Sequence, residues 1–385
     1  MSARRCTLAG LAAAVLGLLA PAPAGAAVLP EDRADALFHG YQGGGVSVYG
    51  PSLLVRKSAG PQVSAWANYY RDMVSSASID VDLTASKYRE TRDEYSVGVD
   101  YLRGRTTMSL AFSRSDENDY TANTGTIDIS QEMFGDLTTV TLGYTQGEDR
   151  VGRNGDPAFE ESITRRNFRV GVTQILTPKL VVNLNYEAVT WEGFLNNPYR
   201  SVRFLDSAAE TGFGLQPEVY PGTRTSNAVS VRARYRLPWK AALGLSYRYF
   251  TDTWEIDAHT VELDYSHELG RWTADLRYRF YTQNEAEFYS DLFPREDAQN
   301  FLARDKELSR FQSQSVGVGL AYEFLRNGSG LLERGSLNLA LDHTRFSYDN
   351  FRDARQASDP GVAVGDEPLY EFSANVFQAF VSVWF

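Results

Sequence analysis

From Val46 onward the chain alternates apolar and polar side chains, run after run, with turn residues in between. Met108, Leu110 and Phe112 fall on one face while Thr107, Ser109 and Ser113 fall on the other. Val140, Leu142 and Tyr144 stand against Thr139, Thr141 and Thr145, and the pattern returns at Val229, Val231, Ala233 and Tyr235. It returns again at Trp272, Ala274, Leu276, Tyr278 and Phe280 and at Val316, Val318, Leu320 and Tyr322. A strand sends successive side chains to opposite faces, so this period predicts a sheet with one apolar face. The runs are about ten residues or longer. Membrane-crossing strands need roughly 9–11 residues, and soluble strands average about 5–6.

The connections alternate too. Tight ones, built from Gly, Pro and Asp, fall at 58–61, 103–105, 135–136, 177–179, 238–240 and 270–271. Longer polar ones fall at 77–92, 117–124, 149–162, 193–225, 284–309 and 350–368, with 254–257 a short exception and 326–334 a long one. Short periplasmic turns and long extracellular loops are the asymmetry of a transmembrane antiparallel β-barrel. About fifteen strong strands are visible, the first at 46–57, and an even number calls for one more. Residues 35–42, with Gly43, Gly44 and Gly45 as the turn, supply it. The all-β fold expected is thus a barrel of about sixteen strands, with about fourteen and an N-terminal segment inside the lumen as the alternative.

The last stretch, 372–385, is FSANVFQAFVSVWF. Phe377, Ala379, Val381, Val383 and Phe385 form an apolar row, and Val376, Gln378, Phe380, Ser382 and Trp384 form a mixed one. This resembles the closing strand of Gram-negative outer-membrane barrels. The resemblance implies that Phe377, Val381, Val383 and Phe385 are an assembly signal, with the barrel-assembly machinery and outer-membrane lipid as partners.

Composition fits the same picture. Aromatic residues make up 13% of the chain, with 22 Tyr and 21 Phe, as interfacial girdles require. The mean hydropathy is negative, because lipid-facing and lumen-facing residues cancel along each strand. A net charge of −11 argues against a nucleic-acid surface. Arg4 and Arg5, the apolar run to Ala20 and Ala24-Gly25-Ala26 read as a signal peptide, residues 1–26, cleaved before a single barrel domain, 27–385. The one cysteine, Cys6, falls within that signal, so neither disulfides nor thiol chemistry is expected in the mature chain.

Four blocks carry a wider likeness: 43–57 (GGGVSVYGPSLLVRK), 194–206 (FLNNPYRSVRFLD), 247–254 (YRYFTDTW) and 288–309 (FYSDLFPREDAQNFLARDKELS). Together they resemble the Gram-negative outer-membrane family catalogued as domain of unknown function 3570. The likeness covers nearly the whole mature chain. It implies no established activity; periplasmic redox or flavin-transfer proteins are the partners it suggests.

Strand parity also sorts the charges. Asp100, Asp128, Glu132, Arg169, Glu187, Glu323 and Asp342 share a face with small and polar residues. So do Arg232, Arg234, Arg236, Arg248, Glu262, Asp264, Asp275, Arg277 and Arg279, the candidate lumen-lining set. An Arg on the lipid face costs about 2–4 kcal/mol near the midplane, so parity places these side chains inside. Two readings compete: an arginine stripe that selects anions in a wet pore, and a salt-bridge network that fills a narrow lumen.

The long loops hold Tyr199, Arg200, Arg203, Phe204, Tyr220, Phe288, Tyr289, Phe293, Arg295 and Arg304, which either fold inward over the pore or pack as an outer lid. Two acidic groups, Asp116, Glu117, Asp119 and Asp149, Asp156, Glu160, have carboxylates that calcium favours. Neither has the ligand spacing of an EF-hand, so solvated loops are expected, and no metal or cofactor. His259, His267 and His343 share parity with the apolar rows, and none of the four histidines is placed on the polar face beside a serine. Asp257 with His259 is the one pair to watch for catalysis.

The function expected is a pore or transporter for small polar solutes. A plugged, non-conducting barrel that serves an envelope or redox partner comes second, and a membrane-embedded hydrolase last.

Overall fold

The computed structural model describes residues 27–76, 88–326, 328 and 330–385. The expected signal, 1–26, and most of the loop at 77–92 lie outside the described residues. The strands are β1 (Arg33–Gly43), β2 (Val46–Ser58), β3 (Val63–Ser76), β4 (Tyr88–Arg103), β5 (Thr106–Asp116) and β6 (Tyr120–Met133). Next come β7 (Thr138–Val151), β8 (Glu161–Thr177), β9 (Leu180–Gly193), β10 (Ser201–Leu205), β11 (Phe213–Pro217) and β12 (Thr223–Leu237). The chain finishes with β13 (Ala241–Asp252), β14 (Asp257–Leu269), β15 (Trp272–Gln283), β16 (Phe311–Leu325), β17 (Arg334–Arg352) and β18 (Leu369–Trp384).

Among the described residues, β10 and β11 form a loop hairpin, and the other strands close one antiparallel barrel of sixteen. Closure runs through β1, which pairs with β18 from Arg33↔Trp384 to Gly43↔Ala374. The stretch at 35–42 is therefore a wall strand, not a segment in the lumen.

Period two decides the faces. Leu276 is 52% exposed on the outer wall, whereas the inward-facing Ala374 and Ser64 are buried. Tyr and Trp mark both membrane boundaries: Trp272 packs at a tilt against Tyr322, and Trp239 donates to Tyr265 near the short turns. Tyr249 and His259 pair toward the long-loop end. This is the aromatic belt that lipid interfaces favour. The hairpin turn between β14 and β15 works because Gly270 takes φ 73°, which a side chain disfavours.

Three loops differ from expectation, the first at 88–92, where the end of the loop expected at 77–92 is strand paired with β3. The polar stretch 117–124 is mostly strand: Thr121 to Thr124 pair with β5, since threonine suits a pleated wall and only 117–119 is needed to turn. The stretch 193–225 carries the β10–β11 hairpin, which alternation over five residues was too short to announce.

Candidate functional site

The interior charges form rows across the wall. Register places Arg234, Gly244, Asp264, Arg277, Gly317 and Asp342 side by side on β12 to β17. One step along the strands lies the row Arg232, Ser246, Glu262, Arg279 and Ser315. One step the other way lie Arg236, Ala242, Ser266, Asp275 and Gly319. A cavity of about 690 Å³ opens against these rows, lined by Arg232, Arg234, Arg277 and Arg279 and by Glu262, Asp264, Asp275 and Asp342.

The candidate residues part into paired and unpaired. Glu262 accepts from Arg232 at 3.2 Å and lies 3.3 Å from Arg279. Arg277 Nη2 meets both oxygens of Asp342, at 3.0 and 2.9 Å. Arg248 stands apart, 3.6 Å from Glu187, in a cavity of about 160 Å³ shared with Trp191, Arg224 and Phe250. Arg234, Arg236, Asp264 and Asp275 have no ion-pair partner among the described residues. Both sequence readings thus meet in one lumen: part of the charge is spent in bridges, and part faces the cavity. The Arg232 and Arg277 side chains are 59% and 48% exposed, so the lumen around them is wet.

Glycine makes the bridges possible. Arg169 reaches Asp128 at 2.8 Å across the strand that carries Gly143, and Arg277 reaches Asp342 across Gly317. A Cβ at either glycine would collide with the carboxylate above it. On the opposite wall Arg56 pairs with Asp100, which also accepts from Ser109 at 2.6 Å.

His39 was assigned no face from the sequence. Its neighbours Ala36 and Phe38 line the outer wall, so His39 faces the interior, stacked 4.7 Å from Tyr70. Nε2 lies 2.7 Å from Asp72 Oδ1 and 3.0 Å from Tyr70 Oη, while Nδ1 is buried without a hydrogen-bond partner. The parity of β1 held this signal once 33–43 was known to be a strand. At the outer rim, His259 bonds Tyr247 at 2.7 Å and Asp257 accepts from Tyr249 at 2.6 Å, so the two are not a catalytic pair. His343 faces Asn375.

Three connections, 194–222, 284–310 and 353–368, interlock at the long-loop end. Gln283, which faces inward on β15, donates to the carbonyls of Glu307 and Ser309 at 2.9 and 2.8 Å and draws the second loop inside the wall. Arg203 lies beneath, 1% exposed. It donates to Glu367 at 2.5 and 3.0 Å and to Asp291 at 2.5 Å. Arg304 lies 2.9 Å from Asp291 and over the Phe351 ring at 4.5 Å. Val202, Phe293 and Leu302 pack around this network, and Tyr220, Trp254 and Phe288 form a second apolar centre. Arg203, Tyr220, Phe288, Phe293 and Arg304 were candidates from the sequence; Asp291 and Glu367 were not. Four of the six loop acids are committed to protein donors: Asp116 to Arg114, Asp149 to Arg165, Asp156 to Arg153 and Asp119 to Tyr199.

Burial pushes the Glu367 carboxyl up, but the Arg203 guanidinium and the Gly365 N–H outweigh it and hold it below the usual range. Asp353, bound by Arg355, and Glu285, bound by Arg310, are lowered as well. A depressed carboxyl adds stability that is complete above its unfolded value, about 4, and is lost as pH falls through the folded value. The lid is therefore expected to stay closed from neutrality to about pH 5 and to loosen below about pH 4. Hydrogen exchange of 194–222 and 353–368 at the two pH values checks this; equal protection after correction for intrinsic rates would contradict it.

At the C-terminus Phe377 and Val381 are exposed on the outer wall and Val383 continues their row. Phe385 lies past the strand, its ring 4.8 Å from Lys57 Nζ.

The fold is similar to that of a solved chain described as a bacterial polysaccharide outer membrane secretin, with a TM-score of 0.50 and 8% identity over 93% of this chain and 100% of that one. OmpT of Vibrio cholerae aligns at a TM-score of 0.45 and 10% identity over 92% and 99% of the two chains. The outer membrane protein opdK of Pseudomonas aeruginosa aligns at 0.43 and 10% over 91% and 98%. No curated protein matches. The family match takes in three of the four blocks that carry the sequence likeness and leaves out 43–57. By fold the chain is an outer-membrane β-barrel, and over residues 160–332 it matches the family described as "Protein of unknown function (DUF3570)".

Proposed function

We propose that the barrel is a conduit for small polar solutes across the outer membrane of a Gram-negative bacterium, closed at its long-loop end by the interlocked lid. The observation that carries this reading is the wet, charge-lined cavity of about 690 Å³ inside the wall. A barrel that served only as a scaffold would gain nothing from half-exposed arginines in its lumen, since a filled interior pairs its charges. Cavity arginines and carboxylates are equal in number, so weak ion selectivity is expected rather than the strong anion preference of a bare arginine stripe.

Conductance of the refolded barrel in a planar bilayer tests the reading. Discrete steps are expected, with reversal potentials near zero in symmetric-valence salt. Arg234→Ala and Arg277→Ala shift selectivity toward cations. Asp264→Asn shifts it toward anions. Silence from an inserted barrel, both as wild type and with the lid loosened by Arg203→Ala, would refute the conduit.

The lid favours the second reading, a closed barrel that serves a periplasmic redox or flavin-transfer partner, and that silence is what it predicts. A hydrolase has less support. The buried Nδ1 of His39 faces no hydrogen-bonding group, and its other nitrogen is held by Asp72 and Tyr70.

A further inference from the structure

We propose that Arg234 and Asp264 form a binding site for a small zwitterion, a solute of the amino-acid or short-peptide class that carries both a carboxylate and a protonated amine. The inference deepens the conduit reading by naming the class of solute that its cavity holds.

Among the described residues the same arrangement occurs three times on the inner wall: an arginine and an aspartate two strands apart, with a glycine between them. Arg169 and Asp128 flank Gly143, Arg277 and Asp342 flank Gly317, and Arg234 and Asp264 flank Gly244. Strands two apart lie about 9–10 Å from each other, a gap that arginine and aspartate span once the middle side chain is missing. The first two pairs close, at 2.8 and 2.9 Å. The third has the same residue types, the same register and the same glycine, yet stays open. Asp264 leans over Gly244, where a Cβ would strike its carboxylate. Its cross-strand neighbour Arg277 turns away to Asp342, so neither end of the open pair is claimed by the protein.

Both ends line the cavity, and Asp275, also unpaired, lines it beside them. An unclaimed guanidinium takes a carboxylate through two parallel hydrogen bonds, and an unclaimed carboxylate takes an ammonium group. A simple anion or a simple cation satisfies one end and leaves the other bare. The cavity as a whole gives neither an advantage, because its four arginines face four carboxylates. A zwitterion satisfies both ends at once, and about 690 Å³ leaves ample room for an amino acid or dipeptide.

Calorimetric titration of the detergent-refolded barrel tests this, with glycylglycine as the zwitterion and acetate, ethylamine and N-acetylglycinamide as single-charge and neutral controls. Glycylglycine is expected to bind about tenfold or more tightly than each control, the scale of one added charge-assisted contact. Arg234→Gln and Asp264→Asn each lower that affinity about tenfold, while Asp128→Asn, in a closed pair on another part of the wall, leaves it unchanged. Equal binding of the four probes, or binding that neither substitution changes, would overturn the site. Parallel bilayer recordings separate the two claims. Conductance without a glycylglycine preference defeats this inference alone, and glycylglycine binding to a silent barrel defeats the conduit and leaves the site standing.

Discussion

Arg203→Ala is expected to open the lid and leave the barrel standing. Arg203 is buried, and Glu367, which is fully buried, and Asp291 both lean on it. Removing one partner of a buried ion pair costs about 3–5 kcal/mol, because the remaining charge stays uncompensated in a dry place. Here Glu367 would keep, among the described residues, only the Gly365 N–H, while Asp291 would still have Arg304. The apolar packing nearby is small, built from Val202, Phe293 and Leu302, and cannot offset a loss of that size. The wall does not depend on this network, since its strands are held by their own ladders. Protease should therefore cut within 194–222 or 284–310 in the variant and not in the wild type, while both keep the heat-modifiable mobility of a folded barrel. Conductance should rise in the same variant. Glu367→Gln keeps an acceptor for Arg203 and should have a smaller effect. Wild-type protease resistance in Arg203→Ala would show that the loops are held by something other than this pair.

Leu276→Arg is expected to block insertion, whereas Arg277→Leu, the next residue, should not. Leu276 faces lipid, four residues in from the interfacial Trp272, and Arg277 faces the cavity. An arginine at that depth on the outer wall costs about 2–4 kcal/mol. Arg277→Leu gives up its bridge to Asp342 in a wet lumen, where water solvates the freed carboxylate and the loss is far smaller. The fraction that acquires heat-modifiable mobility in lipid vesicles checks both. Equal refolding of Leu276→Arg and wild type would put the faces of β15 in doubt.

The interior set Arg232 to Arg279 was readable from parity, because the face a strand residue takes depends only on its place in the alternation. The clasps were not. Arg277 meets Asp342 rather than its direct neighbour Asp264, and that choice depends on the glycine at 317 lying between two strands far apart in sequence. Likewise Arg203 and Arg304 stood out as loop arginines, but Glu367 lies 164 residues from Arg203 and nothing local joins them. His39 shows the boundary case: its face followed from β1, its partner Asp72 only from the packing of β1 against β2 and β3.

The sequence by itself determined the barrel, its strand faces, its belts of Tyr and Trp and the side of the wall on which each charge lies. These follow from a period of two and from the thickness of a bilayer, both of which act along one strand at a time. Tertiary structure alone decided which charges meet, which clasp stays open and how three loops lock into a lid. Those outcomes rest on register between strands and on contacts across the mouth of the barrel, where distance along the chain carries no information.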